Sequence, residues 1–190
     1  EFRRVLFRSK EWVVEDGTLT LHGHGGDIVT KGEYADFEFQ TDWRISPGGN
    51  SGIMFHVAED FGYPWETGPE MQVLDDAKHA DGKSRLTSAG ACYALYPAPL
   101  GAVKPAGEWN TANIRCVGGK VTFTLNGTTT AAFDMGSKDW KDRVAGSKFK
   151  DMKAFGTKSS GHIALQDHGD VVSYRNMKVR PIRSEEHTSE

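Results

Sequence analysis

Apolar and polar side chains alternate with a period of two along much of this chain. Phe37, Phe39, Thr41, Trp43 and Ile45 fall on one side of an extended segment, and Glu38, Gln40, Asp42 and Arg44 on the other. That pattern is the signature of a half-buried strand. Pro47-Gly48-Gly49-Asn50 then breaks the chain as a turn, and residues 51–57 read as the next strand. Further strands are expected at 70–74, 91–96 and 111–117. Asn126-Gly127 joins the runs 121–125 and 128–133; this dipeptide supplies the positive φ angles of a type I′ hairpin. Residues 162–166 and 171–179 are expected to pair as a final two strands across Asp167-His168-Gly169-Asp170. Helical periodicity is almost absent, leaving room for one short helix near 140–144 or 149–152. Many short strands separated by turns predict an all-β, two-layer antiparallel sandwich. Two loops stand out. Residues 59–69 hold Gly, Pro and three aromatics, a make-up that suits either function or surface packing. Residues 78–88 are polar and expected to be mobile.

The ends change how much of the chain belongs in this picture. Residues 183–190, Arg-Ser-Glu-Glu-His-Thr-Ser-Glu, can be encoded by a short-read sequencing adapter. Residues 1–9 can be encoded by its reverse complement extended by one codon. Both ends are therefore expected to be non-native and to pack nowhere in particular, with 10–182 forming a single domain. A formal net charge of −3 gives no footprint for nucleic acid. No run of eighteen apolar residues is present to span a membrane as a helix. Cys92 and Cys116 are either two buried thiols or one bridge.

Candidate chemistry follows from the alternation. Glu70 and Gln72 share one strand face, opposite Met71 and Val73. Gln166 and His168 lie at and just past another strand end, and Asp75 and His79 lie just past the end of the Glu70 strand. These are either the wet faces of half-buried strands or the polar wall of a groove. Glu70, Asp75, His79 and His168 are ligand types that could hold a divalent metal ion, although no compact ligand spacing is present. Nothing suggests an organic cofactor: no Gly-rich phosphate loop precedes a helix, and Gly-x-Ser-x-Gly is absent. Tyr63, Trp65, Tyr93, Tyr96 and Trp109 sit in or beside loops. Flat rings there can stack on sugars or simply cover the core.

Seven short motifs then join in order. They are Tyr34-Ala35-Asp36-Phe37-Glu38-Phe39, Gly49-Asn50-Ser51-Gly52-Ile53, Glu70-Met71-Gln72-Val73-Leu74-Asp75 and Lys104-Pro105-Ala106-Gly107-Glu108-Trp109-Asn110. Leu125-Asn126-Gly127, Gly161-His162-Ile163-Ala164-Leu165-Gln166-Asp167-His168 and Tyr174-Arg175-Asn176-Met177 complete the set. With these the chain resembles the 3-keto-disaccharide hydrolase domain family, which has a concanavalin-like jelly-roll fold. One departure is His56, where the family often carries Arg; a substrate-gripping Arg there would make specificity differ in this chain.

The resemblance implies a small-molecule carbohydrate substrate and a periplasmic or extracellular location, and it names no protein partner. It implies a hydrolase or lyase acting on glycosides whose C3 hydroxyl has been oxidised to a ketone. The ketone acidifies the C2 proton, its removal lets the C1 substituent leave, and water then adds. Such chemistry needs a base near C2, positive charge near the C3 oxygen and an acid near the leaving oxygen. Glu70, Gln166 and His168 are the candidate catalytic groups, with Glu70 or His168 as the base. Asn50, Gln72, Tyr93, Lys104, Trp109 and Arg175 are the candidate substrate-binding groups, and Asp75 and His79 the candidate metal ligands. A non-catalytic carbohydrate-binding module and a structural domain of a larger protein are the competing readings.

Overall fold

A computed structural model describes residues 2–4 and 11–183 of the chain. Its strands are β1 (Phe2–Arg4), β2 (Trp12–Glu15), β3 (Thr18–Leu21), β4 (Ile28–Thr30), β5 (Phe37–Ile45) and β6 (Asn50–Val57). They continue with β7 (Glu70–Leu74), β8 (Asn110–Val117), β9 (Lys120–Leu125), β10 (Thr128–Asp134), β11 (His162–Leu165) and β12 (Val172–Pro181), and one helix, α1, covers Lys138–Ala145. The strands form two antiparallel sheets, ordered β10-β9-β8-β5-β12-β3-β2 and β1-β4-β11-β6-β7. This is the two-layer jelly-roll sandwich that the alternation and the resemblance predict.

The alternation in β5 holds residue by residue: Phe37, Phe39, Thr41, Trp43 and Ile45 are buried and the residues between them are not. These side chains meet Ile53, Phe55, Met71 and Val73 from the other sheet in one continuous core. Tyr174 of β12 lies fully inside it. Its phenol is hydrogen-bonded to Ser51 Oγ of β6 at 2.8 Å, and Ser51 Oγ also donates to Gln166 O at 2.7 Å. A polar tie thus crosses the sandwich with its groups satisfied. Asn126 and Gly127 have φ of 51° and 82° and close the β9–β10 hairpin. Both cysteines are buried and free.

A bulge in β6 sets which side chains face outward. His56 has φ of 52°, and between His162 and Ala164 of β11 the partner residue on β6 shifts from Val57 to Met54. One extra residue on β6 turns Val57 outward, where it joins Val29, Met54, Ala164 and Trp65 in a second apolar cluster. His56 turns inward against Phe37 and Phe55, with Nε2 bonded to Ala35 O at 2.8 Å. Burial lowers its pKa. The position expected to alter substrate grip is therefore a core contact.

Four expectations are corrected. Residues 91–96 form no strand. The backbone of residues 90–93 runs beside β7 (Gly90 N to Gln72 O, Gln72 N to Ala91 O, Tyr93 N to Glu70 O) and covers that sheet edge. It then curls back on itself, with Tyr96 N bonded to Cys92 O and Ala94 at φ of 60°. β11 and β12 do not pair, because the Asp167–Asp170 connection carries the chain from one sheet to the other. Residues 78–88 are held: Ala80–Lys83 form a 3-10 turn, Ala94 N donates to Leu86 O, and Ala98 N to Arg85 O. Phe2–Arg4 pairs with β4 as an edge strand, since main-chain pairing at an edge asks little of side-chain identity. The rest of the two ends lies outside the described residues.

Candidate active site

The face of the five-stranded sheet turned away from the core carries a pocket of about 640 Å³. Its floor is polar because β6 and β7 alternate. Ile53, Met71 and Val73 point into the core, leaving Asn50, Glu70 and Gln72 on the outer face, and Gln166, Asp167 and His168 extend from the end of β11. Loops supply the walls. A 3-10 turn at Pro64–Glu66 presents Tyr63 and Trp65, whose rings stack at 5.2 Å with Tyr63 57% exposed. Ser137 caps α1 by accepting from Trp140 N. Trp140 packs on Phe155, which stacks on Phe149 at 4.0 Å. That apolar column fixes Lys148, Phe149 and Met152 at the pocket, and Lys148 Nζ sits 4.4 Å from the centre of the Tyr93 ring.

Glu70 is the central carboxyl, only 9% exposed. Burial pushes its pKa up to about 8; Lys148 opposes this, and Asp27 and Asp81 add to it. At neutral pH the group therefore holds its proton. Its side chain lies across Gly52 of the neighbouring strand, where an added Cβ would overlap the carboxylate. Gly52→Ala is thus expected to displace Glu70, destabilising the fold by about 1–3 kcal/mol and cutting kcat/KM by roughly 100-fold. Thermal melting and steady-state kinetics check this; unchanged kinetics in the folded variant would mean that the position of Glu70 does not matter.

Asp27 is the second carboxyl. Its Oδ1 accepts from Asp167 N at 2.8 Å while Gly26 N donates to Asp167 Oδ2 at 2.6 Å, so the loop before β4 and the loop after β11 clasp each other. Burial is the largest influence on Asp27 and raises its pKa to about 6. The Asp167 N–H and the nearby His168 oppose the rise, and the Asp167 charge adds to it. His168 is exposed at the rim, its ring centre 6.5 Å from that of His79. His79 Nδ1 accepts from Asp81 N at 3.1 Å, which leaves its proton on Nε2. Tyr93 donates to Asp81 Oδ2 at 3.1 Å. Burial first, then Asp81, push its pKa up to about 12, so it stays a donor.

Of the residues expected to serve catalysis, substrate binding or metal binding, Glu70, Gln166, His168, Asn50, Gln72, Tyr93 and His79 line this pocket. Four do not. Asp75 accepts from Gly48 N and Ala77 N, capping the turn after β7, and lines a different cavity. The set Glu70, Asp75, His79 and His168 is therefore not brought together. Among the described residues no three His, Cys, Asp or Glu side chains form a cluster suited to a metal ion. Trp109 belongs to another surface. Arg44 and Arg175 lie 4.8 Å and 4.0 Å from the centre of its ring, and Lys104 Nζ donates to Trp109 O. Arg175 also pairs with Asp42. These groups satisfy one another on the seven-stranded sheet. Asp27, Asp81 and Lys148 line the pocket but were missed in the sequence. Asp27 follows Gly25-Gly26 outside any alternating run, and Lys148 lies in a polar turn; neither carries a local signal.

Three likenesses bear on this site. Residues 4–180 match the 3-keto-alpha-glucoside-1,2-lyase-like domain. A 3-keto-disaccharide hydrolase of Bacteroides thetaiotaomicron is 32% identical over 203 residues, covering 90% of this chain and 70% of that protein. A provisionally assigned glycosyl hydrolase of Parabacteroides distasonis superposes with a TM-score of 0.86 at 36% identity, over 92% of this chain and 85% of the other. The carbohydrate-binding module CBM66 of Bacillus subtilis superposes at 0.54 with 13% identity, over 94% of each chain, and shares the fold alone.

Proposed function

The chain belongs to the 3-keto-alpha-glucoside-1,2-lyase-like domain family, and from that premise we propose that it cleaves glycosides oxidised to a ketone at C3, by elimination across C1 and C2. One observation carries the reading: two carboxyls share a pocket whose environments set their pKa values near 6 and near 8. Such a divided pair suits one group to accept a proton and the other to donate one at neutral pH.

Asp27 takes the C2 proton. The electron pair left at C2 is delocalised onto the C3 oxygen, giving an enolate, and then expels the C1 substituent. Glu70 delivers its proton to the departing oxygen, so an alcohol leaves and an enone remains. Addition of water at C1, with return of a proton to C2, completes a net hydrolysis. The Lys148 ammonium lies where it favours negative charge in the pocket. Glu70, named from the sequence as a candidate base, thus serves as the acid, because burial keeps it protonated. Stacking by Tyr63 holds the sugar face without chemistry of its own.

The sign of the pH dependence follows. Activity requires Asp27 ionised and Glu70 protonated, so kcat/KM on a 3-keto-glucoside should rise through about 6 and fall through about 8. A profile that climbs steadily from about pH 5 to about pH 9 would contradict the pairing of roles. A purely carbohydrate-binding protein on the same sandwich would bind the sugar and release no aglycone at any pH.

A further inference from the structure

The acid and base leave two polar atoms of the pocket without a role. Gln72 Oε1 and Asn50 Oδ1 have no hydrogen-bond partner among the described residues. Yet Gln72 is 1% and Asn50 5% exposed, and both line the pocket. Buried polar atoms are normally paired, and leaving one unpaired is unfavourable. The orientation of Gln72 is set: its Nε2 donates to Thr87 O at 3.2 Å, so the oxygen is the free end. An amide oxygen can only accept. Whatever completes it must bring an O–H or N–H.

Two unpaired acceptors, Gln72 Oε1 and Asn50 Oδ1, lie on the floor beside the protonated Glu70. On the loops, which also carry the Asp27, Asp81 and Asp167 carboxyls, Lys148 Nζ and the Nε2–H of His79 are donors. A ketone has no proton to give and cannot complete the amide oxygens; it suits the donor side. Asp27, Asp81 and Asp167 also line the pocket and disfavour an anionic ligand.

We infer that Gln72 and Asn50 read free hydroxyl groups of an uncharged sugar ring, turning its ketone-bearing edge toward Lys148 and His79. The inference rests on the glycoside-cleaving reading of the same pocket, but its test does not require cleavage. Methyl glucoside, its 2-, 4- and 6-deoxy analogues and methyl glucuronide are titrated into the whole chain by NMR. A site built to pair a hydroxyl rejects the analogue lacking it. At least one deoxy sugar should bind roughly tenfold more weakly or worse, and the glucuronide likewise. Gln72→Met and Asn50→Leu, checked for fold by the same spectra, should lose the discrimination at that hydroxyl. Deoxy analogues that all bind within about twofold of the parent, or a glucuronide that binds as well, would overturn it. Absence of saturable binding by the parent glucoside would overturn it equally. Discrimination retained alongside failure to cleave a 3-keto-glucoside would remove the cleavage reading and leave this one standing.

Discussion

Glu70→Gln is expected to abolish most turnover while making the protein more stable at alkaline pH. The amide keeps the shape of the side chain but has no acidic proton to give the leaving oxygen, so kcat should fall by roughly 10²- to 10⁴-fold. Stability moves the other way because the carboxyl is buried. Its folded pKa of about 8 lies above the ordinary 4.5, so the folded state holds the proton more tightly than the unfolded chain. The advantage of the protonated form is fully present below the ordinary value and is lost as pH rises through about 8. Glutamine does not titrate. The variant should therefore be about as stable as the wild type in mild acid and more stable in alkali, by on the order of a few kcal/mol. Thermal melts at both ends of the range, with kinetics at neutrality, check both halves. A variant that keeps near wild-type turnover removes Glu70 from the chemistry. One whose melting difference does not grow with pH removes the burial argument.

Asp27→Asn is expected to be as damaging and to leave a different trace. The amide can still accept from Asp167 N, so the clasp between the two loops can remain. What is lost is the proton acceptor. The rate should drop by roughly 10²- to 10⁴-fold, and the acid limb near 6 should vanish from the residual pH profile. His168→Ala supplies the contrast. His168 sits exposed at the rim and acts on Asp27 through its charge, so its loss should cost less than roughly tenfold and move the acid limb upward. If His168→Ala instead matches Asp27→Asn in depth and removes the limb, the base is the imidazole.

Both carboxyls line one pocket, yet only one could be read from the sequence, and the reason is geometric. Glu70 and Gln72 stand at alternate positions of a strand whose other face is Met71 and Val73, so their common direction follows from the period of the strand. Asp27 precedes a three-residue strand, too short for a period, and reaches the pocket because β4 pairs with β11. Lys148 arrives by way of the aromatic column from Trp140 to Phe149, a tertiary arrangement with no local trace. The same limits hold for the fold. β5, β8 and the β9–β10 hairpin were legible through alternation and Asn126-Gly127; β4, with three residues, shows no period, and the β2–β3 hairpin was missed although Asp16-Gly17, with φ of 49° and 73°, carries the same turn signal. The Asp167–Asp170 turn has hairpin residues but serves as a crossing between sheets. Trp109, a loop aromatic that could have stacked on a sugar, instead has Arg44 and Arg175 over its ring, a tertiary contact with no trace in the local sequence.

The central claim is that the bond at C1 breaks only after the proton at C2 is removed. It is tested most directly with a 3-keto-glucoside deuterated at C2, followed by NMR as the aglycone is released. Elimination predicts that each release is accompanied by loss of the C2 deuterium to solvent, and that the unoxidised glucoside is left intact. Release of the aglycone with the deuterium still at C2, or equal cleavage of the unoxidised glucoside, would contradict it.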